Sequence, residues 1–134
     1  TDRAIYNEAL QYARENDCND ALVLNENGTI ADASIYNVFM VKDGIVYTPP
    51  LADAPVAGVL RELLLTRLDT ITIQEKSITI QDLYAADELF LTNALRGIRA
   101  VDEFDGTVYE STITKQVFTA FQQVVSEHFG EHLV

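Results

Sequence analysis

Gly28-Thr-Ile-Ala-Asp-Ala-Ser-Ile-Tyr-Asn-Val-Phe-Met-Val-Lys-Asp-Gly-Ile-Val-Tyr-Thr-Pro-Pro50 is the stretch from which the fold is read. Tyr36-Asn-Val-Phe-Met-Val41 is rich in β-branched and aromatic residues over the length of one strand. Lys42-Asp-Gly44 follows, and an Asp-Gly pair accepts the positive φ angles of a tight hairpin, so Ile45-Val-Tyr-Thr48 returns beside it. Pro49-Pro50 ends that strand, because proline has no amide hydrogen to give to a ladder. Upstream, Asn25-Glu-Asn-Gly28 makes a second turn between Asp20-Ala-Leu-Val-Leu-Asn25 and Thr29 to Ala33.

Working outward, Ile5, Ala9, Tyr12 and Ala13 recur at helical steps and predict a helix over 4–16. After a loop over 49–57, Val59, Leu60, Leu63, Leu64 and Leu68 predict a helix that starts near Gly58. Ile71 and Ile73 alternate as a strand, Ile80 to Ala86 reads as a short helix, and Glu88-Leu-Phe-Leu-Thr92 reads as a buried strand ending at Asn93-Ala-Leu-Arg-Gly97. Ile98 to Phe104 is extended and Asp105-Gly106 is a turn. Val117, Phe118, Phe121, Val124, Val125 and Phe129 predict a last amphipathic helix, with Ser111 or Thr112 as caps and Gly130 as its stop. The expectation is a single mixed α/β domain over 1–134, a curved, barrel-like sheet flanked by helices.

Composition narrows the function. Of 134 residues 48% are hydrophobic, which suits a folded core, and 9 basic against 21 acidic residues give a net charge of −12. That charge repels nucleic-acid phosphates and anionic lipid, so neither nucleic acid nor membrane is an expected partner. The lone Cys18 and the two histidines His128 and His132 have no metal-ligand spacing, and no signal peptide or ~20-residue apolar run is legible. A cytoplasmic location is expected. Acidic Glu15, Asp17 and Asp20 around Cys18 disfavour a thiolate, and histidines confined to the last helix do not build a nucleophilic triad.

Three loops at strand ends and helix starts are left as candidate sites, because backbone amides and short polar side chains meet ligands there. They run over 28–39, over 48–61 and over 90–99. Asp32 is a carboxylate between two strands, and the first amides of the helix after Gly58 would receive a phosphate.

Taken together and in order, these segments resemble the larger, C-terminal domain of the class IV (fold-type IV) pyridoxal-phosphate enzymes, a family that includes branched-chain and D-amino-acid aminotransferases and aminodeoxychorismate lyase. The resemblance covers roughly residues 1–110 and rests on Asp32-Ala-Ser-Ile-Tyr-Asn37-Val-Phe39, Tyr47-Thr-Pro49, Gly58-Val-Leu-Arg61 and Asp87-Glu-Leu-Phe-Leu-Thr-Asn93 with Arg96-Gly-Ile. It implies pyridoxal 5'-phosphate as cofactor, a small amino compound as substrate and a homodimer as the assembly. It also implies that Asp32 pairs with the pyridine nitrogen, and that the backbone amides of Val59 and Leu60 hold the phosphate. Val56 would pack on a face of the ring, and Asn93 with Ala94 would form a second loop at the phosphate. Asp32 stands where most members have glutamate, Leu60 where threonine is common, and Ala100 where proline is usual.

No catalytic residue is assigned within the chain, because the family's cofactor-linking lysine falls just before Thr1, as does a smaller N-terminal domain. Lys42, Lys76 and Lys115 do not match it by motif. Asn93-Ala-Leu95 leans toward the lyase, which releases pyruvate and an aromatic amine. An aminotransferase is the alternative, and a non-catalytic acidic α/β binding module is a third.

Overall fold

A computed structural model describes residues 11, 21–33, 36–53 and 55–129. The helix expected over 4–16 lies outside this set except for residue 11, which is helical, and Gly130 also lies outside it. Strands β1 (Leu22–Leu24) and β2 (Ile30–Ala33) form an antiparallel pair with an irregular register between Val23 and Leu24. Strands β3 (Asn37–Lys42) and β4 (Ile45–Thr48) form the expected hairpin, and Asp43 and Gly44 at its turn have φ of 52° and 80°. A 3-10 turn (Leu51–Asp53) and helix α1 (Val59–Arg67) then carry the chain across to β5 (Ile73–Glu75), which lies parallel to β4. A parallel neighbour requires such a crossover. Helix α2 (Ile80–Ala85) leads into β6 (Glu88–Asn93) and β7 (Gly97–Ala100), and a small hairpin of β8 (Glu103–Phe104) and β9 (Thr107–Val108) precedes helix α3 (Thr112–Phe129).

The main sheet has the order β5-β4-β3-β6-β7, so β3 and β6 are central. The fold is mixed α/β as expected, with the described strands in three sheets and no closed barrel. The span 98–104, read as one extended segment, divides into β7 and β8.

Both faces of the main sheet are covered, so β3 is apolar from Val38 to Val41 instead of alternating. Val38, Met40 and Leu89 pack with Ile30, Ile78, Leu83 and Tyr109 on one face. Phe39, Val41, Val46 and Phe90 pack with Leu60 and Leu64 of α1 and Val117 of α3 on the other. Phe39 and Phe90 are direct register partners and stack 4.9 Å apart at 4°. No helix among the described residues is long and apolar enough to cross a membrane.

Candidate functional site

Asn37, Phe39 and Val41 alternate onto the α1 side of β3, and Asn37 pairs with Thr92 of β6, so both polar side chains end the apolar face beside the start of α1. The preceding strand delivers Asp32, which is 1% exposed. The loop before α1 folds back over both. Val56 N–H donates to Asp32 Oδ2 at 2.7 Å, and Asn37 Nδ2 donates to Asp32 Oδ1 at 2.8 Å and to the Val56 carbonyl at 2.8 Å. Three residues, from β2, β3 and the loop before α1, thus close a ring of three hydrogen bonds around one buried carboxylate. A carboxylate offers about four acceptor positions, so these two bonds are compatible with a further donor.

Helix α1 begins three residues beyond Val56. Its N-cap, Gly58, has extended geometry (φ −67°, ψ 143°) and gives no side-chain cap. The Glu62 amide reaches the Gly58 carbonyl at 3.0 Å, whereas the amides at the very start of a helix have no partner within it. A helix start bears partial positive charge and favours an anion. Val59 is 73% exposed, and Leu60 turns its side chain into the core beside Phe39 and Phe90, so only its backbone is available outside.

Arg61, one turn in, is buried. Its Nη2 donates to the Pro49 carbonyl at 3.0 Å and to Glu75 Oε2 at 2.9 Å, which ties the first turn of α1 to the ends of β4 and β5. Its Nε has no partner among the described residues.

The third loop lies next to this cluster because Thr92 is the register partner of Asn37. Thr92 Oγ1 is buried with no hydrogen-bond partner among the described residues, a costly state for a hydroxyl. Asn93 closes the β6–β7 turn: its Oδ1 accepts from Leu95 N–H at 2.8 Å and Arg96 N–H at 3.2 Å. Ala94 is exposed at the tip. The structure therefore joins Asp32 directly to Val56, sets Val59 and Leu60 immediately after them, and sets the Asn93-Ala94 turn one residue beyond the strand position facing Asn37. Sequence reasoning missed the part taken by Asn37, Gly58 and Thr92. Only the five-residue spacing from Asp32 to Asn37 hinted at it.

The three lysines are placed elsewhere. Lys42 is 3.9 Å from Asp87, Lys76 lies 5.1 Å over the Tyr47 ring, and Lys115 is in the first turn of α3. An open cavity of about 400 Å³ between Thr70-Ile71 and Lys115, Thr119 and Gln123 of α3 includes none of the site residues.

Residues 1–104 match the family model described as amino-transferase class IV. A branched-chain-amino-acid aminotransferase of Pseudomonas aeruginosa is 35% identical over 92% of this chain and 42% of its own length. The crystal structure of a branched-chain aminotransferase from Thermoproteus uzoniensis with norvaline superposes with a TM-score of 0.86 at 32% identity, covering 92% of this chain and 42% of that one. A Legionella pneumophila structure named as a candidate 4-amino-4-deoxychorismate lyase superposes at 0.84 and 28% identity, covering 92% and 47%. The chain spans about two fifths of the length of the aminotransferases it matches. By the extent of these matches, this chain belongs to the class IV aminotransferase family.

Proposed function

We propose that this chain is the cofactor-binding, C-terminal domain of a pyridoxal-phosphate enzyme acting on a primary amino substrate. The observation that carries the reading is the buried Asp32 carboxylate, fixed by Asn37 and the Val56 amide immediately before an uncapped helix start. The residues fit such a cofactor. An anionic carboxylate can hold a proton on a ring nitrogen, the amides of Val59 and Leu60 suit a phosphate, and the exposed Val56 side chain offers an apolar surface for a ring face. The orphaned Thr92 hydroxyl marks unspent polar capacity beside them.

Bound pyridoxal phosphate would supply an electron sink for a carbanion formed at the carbon bearing the amino group. Asp32 would hold a proton on the ring nitrogen, the first amides of α1 and the backbone of the Asn93-Ala94 turn would hold the phosphate, and Val56 would pack against a face of the ring. The proton transfers would fall to the family's cofactor-linking lysine, a role for which Lys42, beside Asp87, Lys76, over the Tyr47 ring, and Lys115, in the first turn of α3, are not placed. A homodimer and a cytoplasmic location accompany this reading.

Two reactions share these requirements. The likeness to branched-chain aminotransferases at 32% and 35% identity favours amino transfer. Asn93-Ala-Leu95 and the Legionella likeness favour elimination of pyruvate from an aminodeoxychorismate-like substrate. The deciding experiment supplies the full-length protein with pyridoxal phosphate. It measures amino transfer from leucine, valine and isoleucine to a 2-oxo acid, and pyruvate release from 4-amino-4-deoxychorismate. Transfer with no pyruvate release selects the aminotransferase, the reverse selects the lyase, and neither activity without cofactor retention sinks the reading.

A further inference from the structure

We propose that Asn37 is a positioning residue that sets the carboxylate of Asp32 against the start of α1, so that one carboxamide gauges the distance between the two ends of the bound cofactor. This rests on the cofactor reading above and extends it to a residue that would act through Asp32 and Val56.

The donor count is the first argument. A carboxamide nitrogen has two hydrogens, and both are committed, one to Asp32 Oδ1 and one to the Val56 carbonyl, each at 2.8 Å. The Val56 amide returns to Asp32 Oδ2 at 2.7 Å, so rotation of the Asp32 carboxylate would break two bonds at once. The second argument is steric. A Cβ placed on Gly58 would lie 2.3 Å from Asn37 Oδ1 and 3.4 Å from its Cγ, so the carboxamide occupies the room a side chain at 58 would need. The same group that orients the ring-nitrogen carboxylate is thereby pressed against the N-cap of the phosphate-binding helix. The third argument is anchorage: Asn37 opens the central strand of the main sheet, is 7% exposed and is held in register by Thr92.

The two side chains nearest in shape do not meet these demands. Aspartate has the outline but donates nothing to Val56 and sets a second negative charge on Asp32. Glutamine adds a methylene toward Gly58, where there is no room. A purely structural brace for the 51–58 loop would share the bonds to Val56, but its loss would weaken every ligand of the site equally.

That difference gives the test. The full-length protein and its Asn37→Ala variant are titrated with pyridoxamine 5'-phosphate, which binds without the linking lysine, and with the 1-deaza analogue, in which C–H replaces the ring nitrogen. Folding is followed by thermal unfolding. Asn37→Ala should weaken pyridoxamine phosphate roughly tenfold, the worth of one charge-assisted bond. It should weaken the deaza analogue by less than about threefold, because that ligand makes no bond to Asp32. Adding Asn37→Ala to Asp32→Asn should bring little further loss for pyridoxamine phosphate. Should Asn37→Ala not fold, Asn37→Asp, of the same outline, is carried through the same comparison and should show the same selectivity. Equal losses for the two ligands, or no loss in a folded variant, overturn the role of Asn37 alone. An unaltered protein that binds neither ligand overturns the cofactor reading, and this assignment with it.

Discussion

Asp32 is the residue on which the site turns. Its oxygens accept from one side-chain amide and one backbone amide, both donors only, so Asp32→Asn forces an amide hydrogen against one of them or leaves one donor unmet. The variant should lose about 1–3 kcal/mol of stability, measured by urea unfolding. In the full-length enzyme it should lose on the order of 10²-fold in turnover, as when one preorganised electrostatic partner is removed. Retention of normal turnover would reduce Asp32 to a turn residue. Its position was legible from a motif, because a carboxylate at a strand end before Asn-aliphatic-Phe has a recognisable spacing. Gly58 and Asn37 were not legible as a pair: they lie 21 residues apart in sequence, and what joins them is the return of the 51–58 loop across β3. No local pattern encodes that return. Gly58→Ala tests it simply, since its Cβ overlaps Asn37 Oδ1, and a melting temperature lowered by several degrees is expected.

Elements with local causes were the ones read correctly. The β3–β4 hairpin follows from Asp43-Gly44, and α2 starts at Thr79, whose hydroxyl accepts from Asp82 N–H while the Asp82 carboxylate accepts from Thr79 N–H. Helix α3 shows the limit. Ser111 or Thr112 was expected to cap it, yet the amides of Ile113 and Thr114 and the Thr114 hydroxyl all donate at 2.8 Å to Glu88, a buried carboxylate at the start of β6. That cap comes from 25 residues away, beyond the reach of sequence periodicity. Glu88→Ala should cost about 3 kcal/mol, since three donors lose a charged acceptor in a buried setting. Glu88→Gln keeps one acceptor oxygen and should cost less. Urea unfolding of both variants gives the comparison, and equal small effects would show that α3 starts without this cap.

The packing of α2 carries a pH dependence of its own. Tyr109 donates to the Leu83 carbonyl at 2.6 Å, and burial foremost, then the neighbouring Tyr84, raises its pKa above the ordinary value of 10.0. Tyr84 is raised as well, chiefly by its hydrogen bond to Asp105. A group whose folded pKa lies above its unfolded one gives its full stabilisation below the unfolded pKa and loses it as pH rises through the folded value. Stability should therefore hold up to about pH 10 and fall above it. Tyr109→Phe should be less stable at neutral pH by about 1 kcal/mol and show a shallower alkaline decline in thermal unfolding.

At the scale of the molecule, the described residues build two cores that share their strands. Val38 and Met40 face one core and Phe39 and Val41 the other, and β6 divides Leu89 and Phe90 in the same way. The mixed α/β class was legible from the alternation of strand and helix signals. The division into three sheets was not, because which strands pair is decided by long-range contacts such as the parallel β4–β5 neighbour made through α1. A strand that serves two cores links their stabilities: losing one face removes the packing that holds β3 and β6 in register for the other. The chain expressed alone should therefore unfold in one cooperative urea transition. Helical circular dichroism, to which α1 and α3 on one face contribute most and α2 on the other contributes less, and fluorescence of the six tyrosines, with no tryptophan to mask it, should give coincident midpoints. Phe90→Ala removes one ring of the Phe39–Phe90 stack from a fully buried position, which costs about 3–5 kcal/mol. It should move both midpoints together, including the signal from Tyr109 on the opposite face. Separate transitions, or a Phe90→Ala shift confined to the helical signal, would show that the two faces fold independently and that the shared strands do not couple them.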